Sequence, residues 1–272
     1  MDKEKESIND LSICSNLTHE ISNLIGNKET LKKLTGLPQK VMNNALSQMD
    51  SHLQRCFDSQ IGLWEGFSLE EHTESVMLFF KENFVDKVEC DETTQAIMNL
   101  IILCHDIGKV EHKAQESFQN FLPPEQKYAL YNVNTLRFLK NLKIEDEKAK
   151  KLADLITDIT QKAQVITTSY YVLKNKSALD TLDNFSKNLL EKYDFNDKQE
   201  NVDGLSLMSR VLQTCDSGAY TLYGKTRNSR TNKYYSNLNE EWTKGFIYTQ
   251  KGYRFKQDAQ LENTFETDNR EF

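Results

Sequence analysis

A mainly helical fold with one small C-terminal β-hairpin is what this sequence predicts, on three observations. Only 3 prolines and 10 glycines interrupt 272 residues rich in Lys, Glu, Asn and Leu, a composition that favours helices. Apolar residues recur at helical spacing in segment after segment. The run Met98-Asn-Leu-Ile-Ile-Leu-Cys104 is apolar enough to be a buried helix.

In chain order, residues 1 to about 12 read as a polar tail. Residues 38–58 read as an amphipathic helix: Pro38 suits a first turn, and Met42, Ala45, Leu46, Met49, Leu53 and Phe57 mark one face. His52 lies beside that stripe and His19 in a polar neighbourhood, and both read as structural or surface residues. This front segment, 1–60, is expected to pack as an extra helical layer on the helices that follow it. Ser68 with Glu71 three residues on forms a capping box, opening a helix on which His72 shares a face with Leu69, Val76, Phe79 and Phe80. Ile97, Ile101, Cys104 and Gly108 mark one face of the next helix; His105 comes four residues after Ile101, and Gly108 reads as the glycine that ends the helix. Helical stretches are expected near 125–142 and 146–162. Over 205–220, Leu205, Met208, Val211, Leu212, Cys215 and Ala219 form a stripe with Asp216 at its edge. The helical core thus spans 61–222. The remaining 223–272 holds a basic segment, a β-hairpin at 245–255 built on Phe246-Ile-Tyr248, a Gln-Lys-Gly turn and Tyr253-Arg-Phe255, and a polar tail.

Three of these helices carry the same anomaly, a metal-ligand type of residue on or beside an apolar face: His72, His105-Asp106 and Asp216. An ionised carboxylate in an apolar setting costs several kcal/mol unless it is paired or bound to a cation, and a metal ion supplies that compensation. His72, then His105-Asp106 in a His-Asp-Ile-Gly-Lys context, then Asp216 in Cys-Asp-Ser-Gly-Ala resembles the H…HD…D signature of the HD-domain metal-dependent phosphohydrolase superfamily, across residues 67–220. The resemblance implies an HD-type helical bundle in which these four side chains hold one divalent metal. Larger-site members add histidines between the His-Asp pair and the final Asp; here the only histidine between them is His112, and Lys127 and Ile159 or Thr160 stand where central histidines are expected. The pattern is therefore that of a four-ligand, mononuclear site. Asp154 and Asp158 read as a solvated helix face rather than as replacement ligands.

Two imidazoles and two carboxylates suit Mn²⁺, Fe²⁺ or Co²⁺, with Mg²⁺ second choice. Such an ion polarises a phosphoryl oxygen and acidifies a water, so Asp106 is expected to serve catalysis as a ligand. Lys109 is the candidate for stabilising phosphate charge, with Glu71 and Glu111 for acid–base work. Each also has a structural reading: Glu71 as a cap residue, Lys109 as a cation at a helix C-terminus. From Ser217 to Asn239 there is no acidic residue, yet Lys225, Arg227, Arg230 and Lys233 occur among four tyrosines. That segment reads either as a solvated basic loop or as a fold over the metal in which Arg227 and Arg230 meet a substrate phosphate. The expected function is hydrolysis of a nucleotide or other small phosphate ester; a phosphodiesterase or nuclease, or a metal-retaining binding module without turnover, are the alternatives. A formal charge of −7 argues against a general nucleic-acid coat protein, and leaves a nucleic-acid substrate possible but not favoured. Five irregularly spaced cysteines read as reduced thiols, with Cys104 and Cys215 as core fillers. No stretch reaches transmembrane length and the amino terminus has no apolar h-region, so no membrane association and a cytoplasmic location are expected. Oligomeric state is not indicated.

Overall fold

The computed structural model describes residues 11–36, 69–110, 123–171, 175 and 177–223, with the side chains of Glu70, Glu71, Tyr171 and 220–223 outside that description. Within these limits the chain is helical. A short 3₁₀ turn, Ser12–Cys14, leads into α1 (Ser15–Ile25), which ends at Gly26 with φ +63°, and α2 (Lys28–Leu34) comes directly after it. Next come α3 (Leu69–Phe80), extended by a π-helical turn at Lys81–Val85, then α4 (Glu92–Cys104) and a 3₁₀ turn at Ile107–Val110. After them stand α5 (Pro124–Asn141), α6 (Asp146–Thr157), a π-helical turn at Asp158–Ala163, α7 (Gln164–Tyr171), α8 (Ser177–Lys192) and α9 (Gln199–Tyr223).

Helix α4 is the axis of the fold. Asp91 caps it, Oδ1 accepting from the Thr94 backbone N–H at 2.8 Å. Every residue from Ala96 to Cys104 is buried, because α1, α2, α3, α6 and α9 all pack on it, and a helix apolar all round satisfies that surrounding. Its one strongly polar residue within that run, Asn99, donates Nδ2 to the Leu34 carbonyl at 2.6 Å and so ties down the end of α2. The front helices α1 and α2 share this core, Leu17, Ile21, Ile25 and Leu34 being buried with Ile97 and Ile101. Among the described residues, no helix is long and apolar enough to cross a membrane.

Several expectations are corrected. The mainly helical fold with a small β-hairpin gives way to an all-helical one: the described residues contain no β-strand, only a single bridge residue at Glu89, and the core is closed by helix α9 rather than by a sheet layer. The hairpin range 245–255, the helix expected over 38–58 and Ser68 of the capping box lie outside the described residues. Leu11, expected in a polar tail, is buried and donates its N–H to Glu89 O at 2.9 Å. Helix α9 starts six residues before 205, and α8 fills a stretch for which no element is expected from the sequence.

Asp158 is not on a solvated face. It is 1 % exposed, and its carboxylate meets Lys162 Nζ at 2.6 Å, Lys192 Nζ at 2.7 Å and Tyr193 Oη at 2.8 Å, the last two from the far end of α8. Burial alone raises the Asp158 carboxyl, but these three donors outweigh it and hold it below its ordinary value. A depressed carboxyl gives stability that is complete above the unfolded value near ~3.9 and is lost as pH falls toward the folded value. In Asp158→Asn we expect a loss of about 1–3 kcal/mol at pH 7. The gap from wild type should hold above the unfolded value and begin to narrow as urea titrations are moved from pH 7 down to pH ~3. A gap that stays constant over that range contradicts the ionic role.

Candidate metal centre

His72, His105 and Asp106 come from two neighbouring elements, the first turn of α3 and the end of α4. Their donor atoms lie within 4.8 Å of one another, forming a largely buried group able to chelate a metal ion. His72 Nε2 stands 3.2 Å from His105 Nε2, and Asp106 Oδ2 stands 3.4 Å and 3.5 Å from the two nitrogens. Asp216, from the penultimate turn of α9, joins them: its Oδ1 is 3.2 Å from His72 Nε2 and 3.7 Å from His105 Nε2. For an ion about 2.1 Å from each donor, adjacent donors stand about 3.0 Å apart in an octahedron and about 3.4 Å apart in a tetrahedron. The separations among His72, His105 and Asp106, and that of Asp216 from His72, are close to that spacing, while Asp216 stands farther from His105. Exposure rises across the group, from 1–2 % at the two histidines to 13 % at Asp106 and 19 % at Asp216, so the imidazoles form the floor and the carboxylates the rim.

Close backbone contacts set this convergence. A Cβ at Gly218 would run into the Phe79 ring; glycine there lets α9 approach α3, carrying Asp216 to His72. A Cβ at Gly108 would run into the Tyr131 ring, so the 3₁₀ turn after Asp106 is seated under α5. Gly108 therefore does not end α4 with a left-handed residue as expected; Gly26 is the one glycine with positive φ among the described residues, and Gly108 is required by close approach instead.

Hydrogen bonds orient the donors. His105 Nδ1 donates to the Ile102 carbonyl at 2.6 Å, leaving Nε2 for the cluster. Lys109 Nζ lies 2.7 Å from Asp106 Oδ2, and Gln164 Nε2 donates to Asp216 Oδ2 at 2.9 Å. Burial raises the Asp106 carboxyl, but Lys109 and the two histidines outweigh it and hold it below the ordinary range; Asp216 is depressed further, its burial offset by hydrogen bonds from His105 and His72. Burial lowers the His105 imidazole, yet Asp106 and Asp216 more than compensate and raise it to about 9. Cys104 and Cys215 sit beside the ligands, fully buried, with thiols pushed well up by burial and hence unreactive.

Of the expected site residues, the structure brings together His72, His105, Asp106, Asp216 and Lys109. The Glu71 side chain, Glu111, Arg227 and Arg230 lie outside the described residues. Lys127 is near the group: its ammonium is lowered by burial, against the attraction of Asp106, and lies 5.7 Å over the Tyr131 ring that covers Gly108. The sequence marks Lys127 only as a missing histidine, and it gives no sign of Gln161 or Gln164 at the site. Ile159 and Thr160 are buried core residues.

Two outcomes test this geometry. An incoming ion displaces the second proton of His105, so at pH 7 calorimetry in buffers of different ionisation enthalpy should show about one proton released, falling to none above pH ~9, with affinity rising over that interval. In Gly218→Ala, overpacking against Phe79 should cost about 1–3 kcal/mol in urea unfolding and weaken divalent-ion binding together with it.

No family model, no curated protein and no solved structure matches this chain.

Proposed function

We propose that this chain is a metal-dependent phosphohydrolase of the HD type, with one divalent ion held by His72, His105, Asp106 and Asp216 and a nucleotide or other small phosphate ester as substrate. One observation supports the reading: side chains in the H…HD…D order gather His72, His105 and Asp106 with their donor atoms within 4.8 Å of one another, and set Asp216 Oδ1 3.2 Å and 3.7 Å from the two imidazoles. Two nitrogens and two oxygens favour Mn²⁺, Fe²⁺ or Co²⁺, with Mg²⁺ possible. The bound ion supplies Lewis acidity toward a phosphoryl oxygen and lowers the pKa of a water.

The chain's own residues supply the rest. Lys109, 2.7 Å from Asp106, keeps a cation at the rim where a phosphate enters. Glu71 and Glu111 are proposed for acid–base work, and Arg227 and Arg230 for contact with the substrate phosphate. The three-part division at 1–60, 61–222 and 223–272 and a cytoplasmic location are part of the same proposal. A module that keeps the metal without turnover is the competing reading.

Elemental analysis and release assays on a panel of nucleotides, cyclic nucleotides and short oligonucleotides separate them. We expect one ion per chain, phosphate release that chelator abolishes, and loss of both ion and activity in Asp106→Ala. Lys109→Ala should keep the ion and lose about ten- to a hundredfold in kcat/KM, the scale of one charge-assisted hydrogen bond. Two tightly held ions, or an intact ion with no turnover of any phosphate ester, would contradict the proposal.

A further inference from the structure

Two glutamines outside the ligand set reach it from an irregular turn and from the first residue of the helix after it. Helix α6 does not run straight into α7: Asp158–Ala163 winds as a π-helix between them. One extra residue in a turn rotates the rest of the helix by about 100° relative to an unbroken α-helix, and such turns occur frequently at functional sites. The start of this turn is fixed by Asp158, clamped to Lys192 and Tyr193 of the α8 end. Its far side delivers Gln161, whose Nε2 donates to the His105 carbonyl at 3.3 Å, and Gln164, whose Nε2 donates to Asp216 Oδ2 at 2.9 Å.

The second contact distinguishes the two oxygens of Asp216. Oδ2 is engaged by the amide, whereas Oδ1 is the atom 3.2 Å from His72 Nε2 and 3.7 Å from His105 Nε2. The amide fixes the rotation of this carboxylate, so Oδ1 is the oxygen turned to the imidazoles.

We infer that Gln164 is a positioning residue of the metal centre, orienting Asp216 so that Oδ1 is turned to the histidines and the ion, and that the π-helical turn is the device that aims it. This rests on the metal-centre reading proposed above. Gln161 acts on a backbone carbonyl next to the ligands and steadies the same turn from the other side.

The test compares wild type with Gln164→Ala and Gln164→Met, the methionine keeping length and packing while donating nothing, so that one variant serves if the other folds poorly. Each is titrated with Mn²⁺ by calorimetry, loaded with Co²⁺ for its visible absorption spectrum, and melted metal-free. We expect Mn²⁺ affinity to fall ten- to a hundredfold, as for other residues that orient ligands. The Co²⁺ band should change shape as Asp216 turns, and any loss of metal-free stability should be smaller than the loss of binding free energy. Unchanged affinity and spectrum in both variants, with wild type binding Mn²⁺, overturns the role of Gln164 alone. An affinity loss matched by an equal loss of metal-free stability also overturns it, by making the glutamine structural. Wild type that binds neither ion overturns the metal-centre reading, and this inference with it.

Discussion

Burying two carboxylates beside two imidazoles is the constraint around which this molecule is organised. Removing an ionised carboxylate from water costs several kcal/mol unless opposite charge and hydrogen bonds replace the solvent. The replacements are distributed over the fold: an ammonium from Lys109 at Asp106, an amide from Gln164 at Asp216, and a backbone carbonyl that holds His105 by its other nitrogen. Each needs its helix in one position only. The two glycines placed two residues after the carboxylates, Gly108 and Gly218, each lie under an aromatic ring from a neighbouring helix, so the backbone is pinned at the points where the charges sit.

Asp158 shows how a buried carboxylate differs when its job is mechanical. Its neighbours are two ammonium groups and the phenols of Tyr193 and Tyr128, all donors, and they leave the oxygens nothing to share with a cation. At the candidate metal centre imidazole nitrogens and carboxylate oxygens face one another, and the raised His105 imidazole supplies a proton between them, a place that a cation could take. Two acidic sites thus differ in chemistry because the first is closed by ammonium and phenol donors, whereas the second faces imidazoles that can exchange a proton for a cation. The first clamps α8 to the turn that aims Gln164 at the second.

Range decides how much of this was legible in the sequence. The apolar run ending in His105-Asp106 was legible because burial on all sides leaves a local mark, and His72 and Asp216 were legible because each breaks an apolar stripe. Helices α5 and α6 likewise fall within a residue or two of their expected starts. Asp158 is deceptive because the lysines around it make α6 look like an ordinary solvated helix, while its decisive partners lie 34 and 35 residues away. The π-helical turn leaves no periodic signature in six residues, and the contact of Gln164 with Asp216 spans 52 residues, so no local pattern announces either. Gly108 carries a visible signal, but one shared by helix ends and close contacts; only Tyr131, brought over it by α5, decides between them.

The placement of Asp216 on the final described helix also bears on the order in which the molecule comes together. His72, His105 and Asp106 can gather once α3 packs on α4, a short-range event, whereas Asp216 waits for α9 to cross α3, α4 and α1 after most of the chain has been laid down. A cation that prefers four donors to three therefore recognises the docked helix and not the open intermediate. If the proposed ion binds only the completed form, it would add about 1.4 kcal/mol to the docked state for every tenfold excess over its dissociation constant. Escape of such an ion and detachment of α9 would then be linked steps, with the cation content of the surroundings setting how long that helix stays in place.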